Sequence, residues 1–120
     1  MEIKEYVEIN VQFKNINKEI YEMLELTHSH ITILYYVYVS AEKKIDLSEI
    51  EEKKRTNTSI LNRQIKELQK RDYITKNRYE SNLRKVYLTM TDEQYMNVKA
   101  LIDLVEEYLQ TYNNNLFKRG

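Results

Sequence analysis

The chain of 120 residues contains no cysteine, no proline and no tryptophan, and its one glycine is the last residue, Gly120. Without cysteine there is no disulfide framework, no thiolate metal site and no thiol redox switch. With no proline and no interior glycine, collagen-like, proline-rich and low-complexity classes are excluded, and the commonest helix breakers are missing. A glycine-rich phosphate loop is excluded on the same ground. No window approaches the roughly 18 apolar residues that a membrane span requires, and Met1-Glu2-Ile3-Lys4-Glu5 lacks the apolar segment of a secretory signal. A soluble, cytoplasmic protein with no membrane partner is expected. Asn57-Thr58-Ser59 formally matches a glycosylation acceptor, which means little without such a signal.

What is present is a chain 42% hydrophobic and 32% charged, above the roughly 70–80 residues at which one core becomes doubtful. A single domain over 1–120 is the expectation. The formal net charge of zero conceals segregation. Residues 53 to 85 carry eleven basic and three acidic side chains, a net +8, and the rest of the chain carries −8. Positive charge gathered in one quarter of the chain, between acidic flanks, suggests a surface that faces a polyanion. Charge alone is equally compatible with lysines and arginines that only solvate an exposed face.

Apolar residues recur at helical steps. Ile3, Tyr6, Val7, Asn10, Phe13, Ile16, Ile20, Met23 and Leu24 lie on one stripe of a helix covering about the first 25 residues. A second helix starts near Thr27 or Ser29, with Ile31, Leu34, Tyr35 and Tyr38 at the i, i+3, i+4, i+7 spacing and Ile33 and Val37 on its other face, so it reads as central and buried. Its β-branched run is also compatible with a strand. Ile45 suits a short strand, and Asp46 with Glu49 resembles a capping box that opens a short helix over roughly 47–54. The turn formers Thr56-Asn57-Thr58-Ser59 precede a helix whose buried stripe is Ile60 or Leu61, Ile65 and Leu68, ending near Arg71. Tyr73-Ile74-Thr75 and Val86-Tyr87-Leu88-Thr89-Met90 have strand composition, joined by the charged link Lys76 to Lys85. Thr91-Asp92-Glu93-Gln94 forms another capping box, opening a last helix with Tyr95, Val98, Leu101, Ile102, Val105, Tyr108, Leu109 and Tyr112 on one stripe. From Asn113 to Gly120 the tail is expected to fray.

A short capped helix, a polar turn, a helix with a basic outer face and a hairpin with a cationic tip make a winged helix-turn-helix order, in which the second motif helix enters the major groove. From about residue 16 to 110 the chain resembles the MarR/SarA family of bacterial winged-helix transcription regulators, and among them the small staphylococcal SarA-like members. The resemblance is carried by Ile45-Asp46-Leu47-Ser48-Glu49-Ile50, by Ser59-Ile60-Leu61-Asn62-Arg63-Gln64-Ile65-Lys66-Glu67-Leu68, by Arg71-Asp72-Tyr73-Ile74 and by Asn82-Leu83-Arg84-Lys85-Val86-Tyr87-Leu88. It implies a mainly α fold with a small β-hairpin wing, and Arg84 as the wing arginine; the apolar stripes of the N- and C-terminal helices, too extensive for a core of this size to cover, predict a homodimer through those helices. It also implies control of virulence or accessory genes. Asn82 and Leu83 stand where the family usually has an acidic pair, and Lys54 where it usually has an apolar anchor, so the first motif helix is expected to pack loosely or end early.

Within this frame, residues 45–90 form the helix-turn-helix and wing, and 1–26 and 92–113 the dimerisation helices. Asn57, Thr58, Ser59, Asn62, Arg63 and Lys66 are the candidate DNA contacts of the recognition helix. Arg63 has the chemistry for bidentate pairing with guanine, whereas Asn and Thr at a helix start serve equally as caps. Lys53, Lys54 and Arg55 suit the phosphate backbone. Lys76, Arg78, Arg84 and Lys85 lie on the wing, where arginine gains from the potential of a narrow, A·T-rich minor groove. Tyr35, Tyr36 and Tyr38 are expected in the core. His28 and His30 sit roughly 200° apart on a helix and disfavour a shared metal. Glu49, Glu51 and Glu52 form no constellation with a nucleophile, so neither catalysis nor a cofactor is expected. No residue specifies a small-molecule effector. The reading is a sequence-specific regulator binding roughly palindromic, AT-rich double-stranded DNA as a homodimer. Its competitors are a plasmid or phage replication or partition factor, and a winged-helix module that binds protein.

Overall fold

The three- and four-residue apolar steps become helices in the computed structural model, which describes residues 1–116, with side chains through Tyr112. The order is α1 (Ile3–Leu24), α2 (His28–Val39), β1 (Lys44–Asp46), α3 (Leu47–Lys54), α4 (Thr58–Lys70), β2 (Thr75–Tyr79), β3 (Asn82–Thr89) and α5 (Asp92–Leu116). The expected fraying does not begin at Asn113, because α5 continues through Leu116. The last four residues lie outside the described residues. The chain divides into two compact units, one made of Met1–His28 and the chain from Asp103, the other of Ser29–Ile102. The division falls inside α5 and not at its start.

In the first unit, α1 buries Ile16 and Ile20 and leaves much of its N-terminal half open: Ile3, Tyr6, Val7, Val11 and Phe13 are exposed. Only the C-terminal part of the expected stripe is therefore covered by the chain itself. On α5, Val105 is buried whereas Leu104 and Leu109 are exposed. The Tyr112 hydroxyl donates to Glu19 Oε2 at 2.9 Å, which pushes its phenol pKa up.

The second unit is built on α2 to β3 and the start of α5. Along α2 the buried residues are His30, Ile33, Leu34 and Val37, again at i, i+3, i+4, i+7 but one residue out of the expected frame. Tyr35, placed in the core by sequence, is 49% exposed. Tyr36 and Tyr38 are half-buried, and Tyr38 stacks on Tyr95 with centroids 4.9 Å apart. The shift follows from packing: two overlapping stripes have the same period, and Ile33, Leu34 and Val37 fill the interior more densely than Tyr35 and Tyr38, whose hydroxyls need partners.

The expected hairpin is part of a three-stranded antiparallel sheet in the order β1-β3-β2. Ile45 pairs opposite Leu88, and both are buried. The charged link Lys76 to Lys85 is mostly strand, with Arg78 opposite Val86 and an irregularity before Tyr79 opposite Asn82. Only Glu80 and Ser81 form the turn. Ile74, buried, precedes β2 and does not begin it. The strand forms through lysines and arginines because β2 and β3 pair along the whole hairpin, β1 adds a second partner over Tyr87–Thr89, and the charged side chains stay in solvent. Helix α3 packs on β1 and β3, burying Leu47 and Ile50.

Asp46 occupies the N-cap of α3, but its side chain makes no cap bond. Its carboxylate accepts instead from the Tyr79 hydroxyl, so the expected capping box is not formed. The box at α5 is formed in both directions. The Gln94 N–H donates to Thr91 Oγ1 at 3.1 Å and the Thr91 N–H to Gln94 Oε1 at 3.0 Å. Buried Gln94 also accepts from Thr75 Oγ1 at 3.0 Å and donates through Nε2 to Asp72 Oδ1 at 3.0 Å. One side chain thus ties the start of α5 to the start of β2 and to the turn after α4.

Candidate nucleic-acid interface

The candidate interface comprises α3, the turn after it, α4 and the wing of β2 and β3, all within the second unit. Leu61, Ile65 and Leu68 are fully buried on one face of α4. Hundred-degree helical steps then turn Ser59, Arg63, Lys66 and Lys70 to the opposite face, and all four are exposed. Lys70 is an addition to the residues singled out from sequence. It belonged to the basic segment, and only the settled frame of the helix puts it beside Arg63.

At the start of α4, Asn57 is a true cap: its Oδ1 accepts the Ile60 N–H at 2.9 Å. Thr58 Oγ1 donates to Glu51 Oε1 at 3.0 Å and so ties α4 to α3. Both side chains are engaged in holding the motif together. Asn62 is half-buried, with a buried Oδ1 that accepts no bond among the described residues. Arg63 has 71% of its side chain exposed, and its Nε lies 3.9 Å from Glu67 Oε1, one helical turn on.

The three cations at the end of α3 are placed differently from one another. Lys53 lies over the Tyr36 ring at 5.2 Å. Lys54 is half-buried and donates from Nζ to Ser29 Oγ at 2.7 Å; burial lowers its pKa. This tether replaces the apolar anchor usual at its position, and α3 ends there as expected. Arg55 closes α3 in the left-handed conformation, φ 50° and ψ 47°, with its guanidinium side exposed.

On the wing, exposed Arg78 donates from Nη1 to the Leu83 carbonyl at 2.9 Å, across the hairpin. The Arg84 N–H donates to Asn82 Oδ1 at 3.0 Å, so Asn82 supplies an oxygen where the family's acidic residue would stand. Arg84 and Lys85 are exposed and Lys76 is half-buried. Asn77 Nδ2 bonds Thr89 Oγ1 across the strands at 3.1 Å. A groove of about 330 Å³ separates the wing from the two motif helices, with Arg84 and Lys85 on one wall and Asp46 and Glu51 on the other. At the wing base, Lys44 Nζ lies 4.9 Å from the Tyr79 ring centroid and 4.4 Å from that of Tyr87. Sequence reasoning missed this cluster because its members are far apart in the chain and none is unusual alone.

Among the described residues no group of histidine and carboxylate side chains suits a metal, and no helix is long and apolar enough to cross a membrane. The architecture is shared with solved structures. A MarR family transcriptional regulator from Streptomyces coelicolor, Sco3205, solved in complex with DNA, superposes with a TM-score of 0.81 at 17% identity, covering 98% of this chain and 72% of that one. The MepR–DNA complex from Staphylococcus aureus gives 0.74 at 16% identity, covering 92% and 81%. In sequence, the Staphylococcus aureus HTH-type transcriptional regulator SarU is 22% identical over 111 residues. That match covers 92% of this chain, which spans about half the length of this curated relative, 45% of it. Residues 13–101, from the middle of α1 into α5, match the family described as transcriptional regulator SarA/Rot, and the chain belongs to that family.

Proposed function

We propose that this chain is a sequence-specific DNA-binding transcriptional regulator that works in the cytoplasm as a homodimer, on roughly palindromic and AT-rich promoter DNA. The observation that carries the reading is the outward face of α4, where Ser59, Arg63, Lys66 and Lys70 stand exposed opposite a fully buried aliphatic stripe. A helix so seated presents its polar side chains to the major groove, and the adjacent wing carries Arg84 to the flanking minor groove. The solved DNA complexes of Sco3205 and MepR share this architecture. Membership of a family of transcriptional regulators favours promoter occupancy over replication or partition, and this reading gives the chain no catalytic role.

The side chains divide by task. Arg63 reads bases, Ser59, Lys66 and Lys70 touch phosphates or base edges, and Arg84 with Lys85 engages the minor-groove side. Lys53, Arg55 and Lys76 add backbone attraction. Asn57, Thr58, Arg78 and Lys54 act mainly by holding the motif, through the bonds described above. Residues 1–26 and 92–113 supply the dimer contacts, with the exposed apolar residues of α1 and α5 meeting their copies across a two-fold axis. Two recognition helices then reach successive major grooves about 34 Å apart.

The test is fluorescence anisotropy of AT-rich duplexes, followed by selection of a preferred site from random sequence, over a salt series. Wild-type binding should weaken steeply with salt. Arg63→Ala should cost roughly 1–3 kcal/mol and relax one or two operator positions. Uniform weakening across sequences would reduce Arg63 to a phosphate contact, and a folded protein that binds no duplex at low salt would overturn the reading.

A further inference from the structure

His30 occupies the first position of the buried α2 stripe, a place where an aliphatic residue would pack without a desolvation cost. Its Nε2 lies 3.5 Å from Glu67 Oε2 on the recognition helix. The other carboxylate oxygen, Oε1, is the atom that lies 3.9 Å from Arg63 Nε. A single half-exposed carboxylate therefore spans from a buried imidazole to the outward guanidinium best placed to read a base. At 3.9 Å the Arg63 contact belongs to the weak class of exposed ion pairs, so a modest change at its partner is enough to tip it.

The charged groups that face His30 are Glu67 from α4, Arg71 at the end of that helix and Lys54 from α3. Burial, aided by the two cations and opposed by Glu67, lowers the imidazole's pKa, which keeps the ring neutral at neutral pH. Its protonation, moved by burial to a pH below the ordinary histidine range, would place a full positive charge beside Glu67.

We propose that Glu67 is a positioning residue for Arg63 under the control of His30: beside a neutral imidazole the carboxylate biases the guanidinium toward one base-reading posture, and a protonated imidazole draws the carboxylate away and relaxes that bias. The inference rests on α4 being the DNA-reading helix. Its consequence is that affinity and discrimination move in opposite directions. Acidification adds positive charge and frees Arg63, which tightens binding to any duplex while blurring the choice of base.

The experiment compares the selected duplex with one altered at the Arg63-dependent base pair, at constant ionic strength, from about pH 7.5 down through the titration of His30, which burial places below the ordinary histidine range, to the lowest pH at which circular dichroism shows the protein folded. In the wild type, discrimination should fall about twofold to fivefold across that range while binding to both duplexes strengthens. Glu67→Gln should show the low discrimination at every pH. His30→Gln, or His30→Asn if the first variant is unfolded by circular dichroism, should keep the neutral-pH discrimination throughout. Without DNA, the Arg63 Nε–H resonance should follow the His30 titration in the wild type and ignore it in Glu67→Gln. An Arg63 resonance indifferent to His30 in the wild type, or wild-type discrimination in Glu67→Gln, overturns the proposal. Coupled resonances in a protein that binds no duplex would support the relay and overturn the DNA reading.

Discussion

Tyr79 places a polar tie between the wing and the first motif helix. Its hydroxyl donates to Asp46, its ring centroid is 4.6 Å from that of Tyr87, and Lys44 lies against both rings. The bond to the carboxylate, with smaller contributions from desolvation and from the charge of Asp46, pushes the phenol pKa up to about 12. Because the folded value is raised, the bond's contribution is fully present below the ordinary phenol value of about 10 and is lost as pH rises through the folded value. A tyrosinate absorbance titration should therefore contain a component near pH 12 that Tyr79→Phe removes and Asp46→Asn moves down. An unchanged titration in Asp46→Asn, with Tyr79→Phe removing only a component near the ordinary phenol value, would show that the tie does not form in solution. Sequence named Asp46 as a cap from its neighbours, and the partner it takes lies 33 positions away.

At the scale of elements, the scarcity of glycine forces ordinary residues into left-handed backbone. Glu25 and Arg55 close α1 and α3 at φ 54° and 50°, where a Cβ crowds the following carbonyl. Replacing Arg55 with glycine should raise stability by roughly 0.5–1 kcal/mol in thermal denaturation, while the lost charge weakens DNA binding at low salt. A drop in stability would mean that the turn between α3 and α4 needs the stiffness of a side chain more than relief of strain. The helix starts and ends were largely legible beforehand, because caps and apolar steps act within about four residues. The length of β2 and β3 was not. Lys76 to Lys85 looks like a loop by composition and becomes strand through pairing with a partner that alternation alone does not reveal.

At the scale of the molecule, the apolar residues left uncovered are those expected to meet a second copy. Val7 on α1 and Leu109 on α5 are exposed, whereas Leu101 and Val105, from the same expected interface stripe, are buried within the chain. Val7→Glu or Leu109→Glu should thus convert a dimer to a folded monomer in sedimentation velocity. An acidic residue at Leu101 or Val105 should unfold the subunit, since it buries an unpaired charge. A wild-type sedimentation profile for both surface variants would exclude these helices as the dimer contact.

The sequence by itself determined most of the helices, the cap at Thr91, the aliphatic stripe of α4 and the concentration of positive charge between residues 53 and 85, because each depends on near neighbours or on composition. Tertiary structure alone decided which of two equal-period stripes of α2 is buried, that β1 joins the wing, that Asp46 binds Tyr79 and that Glu67 stands between His30 and Arg63. Those outcomes depend on partners brought together from distant positions, and the interior selects among locally equivalent choices by filling space and satisfying buried polar groups.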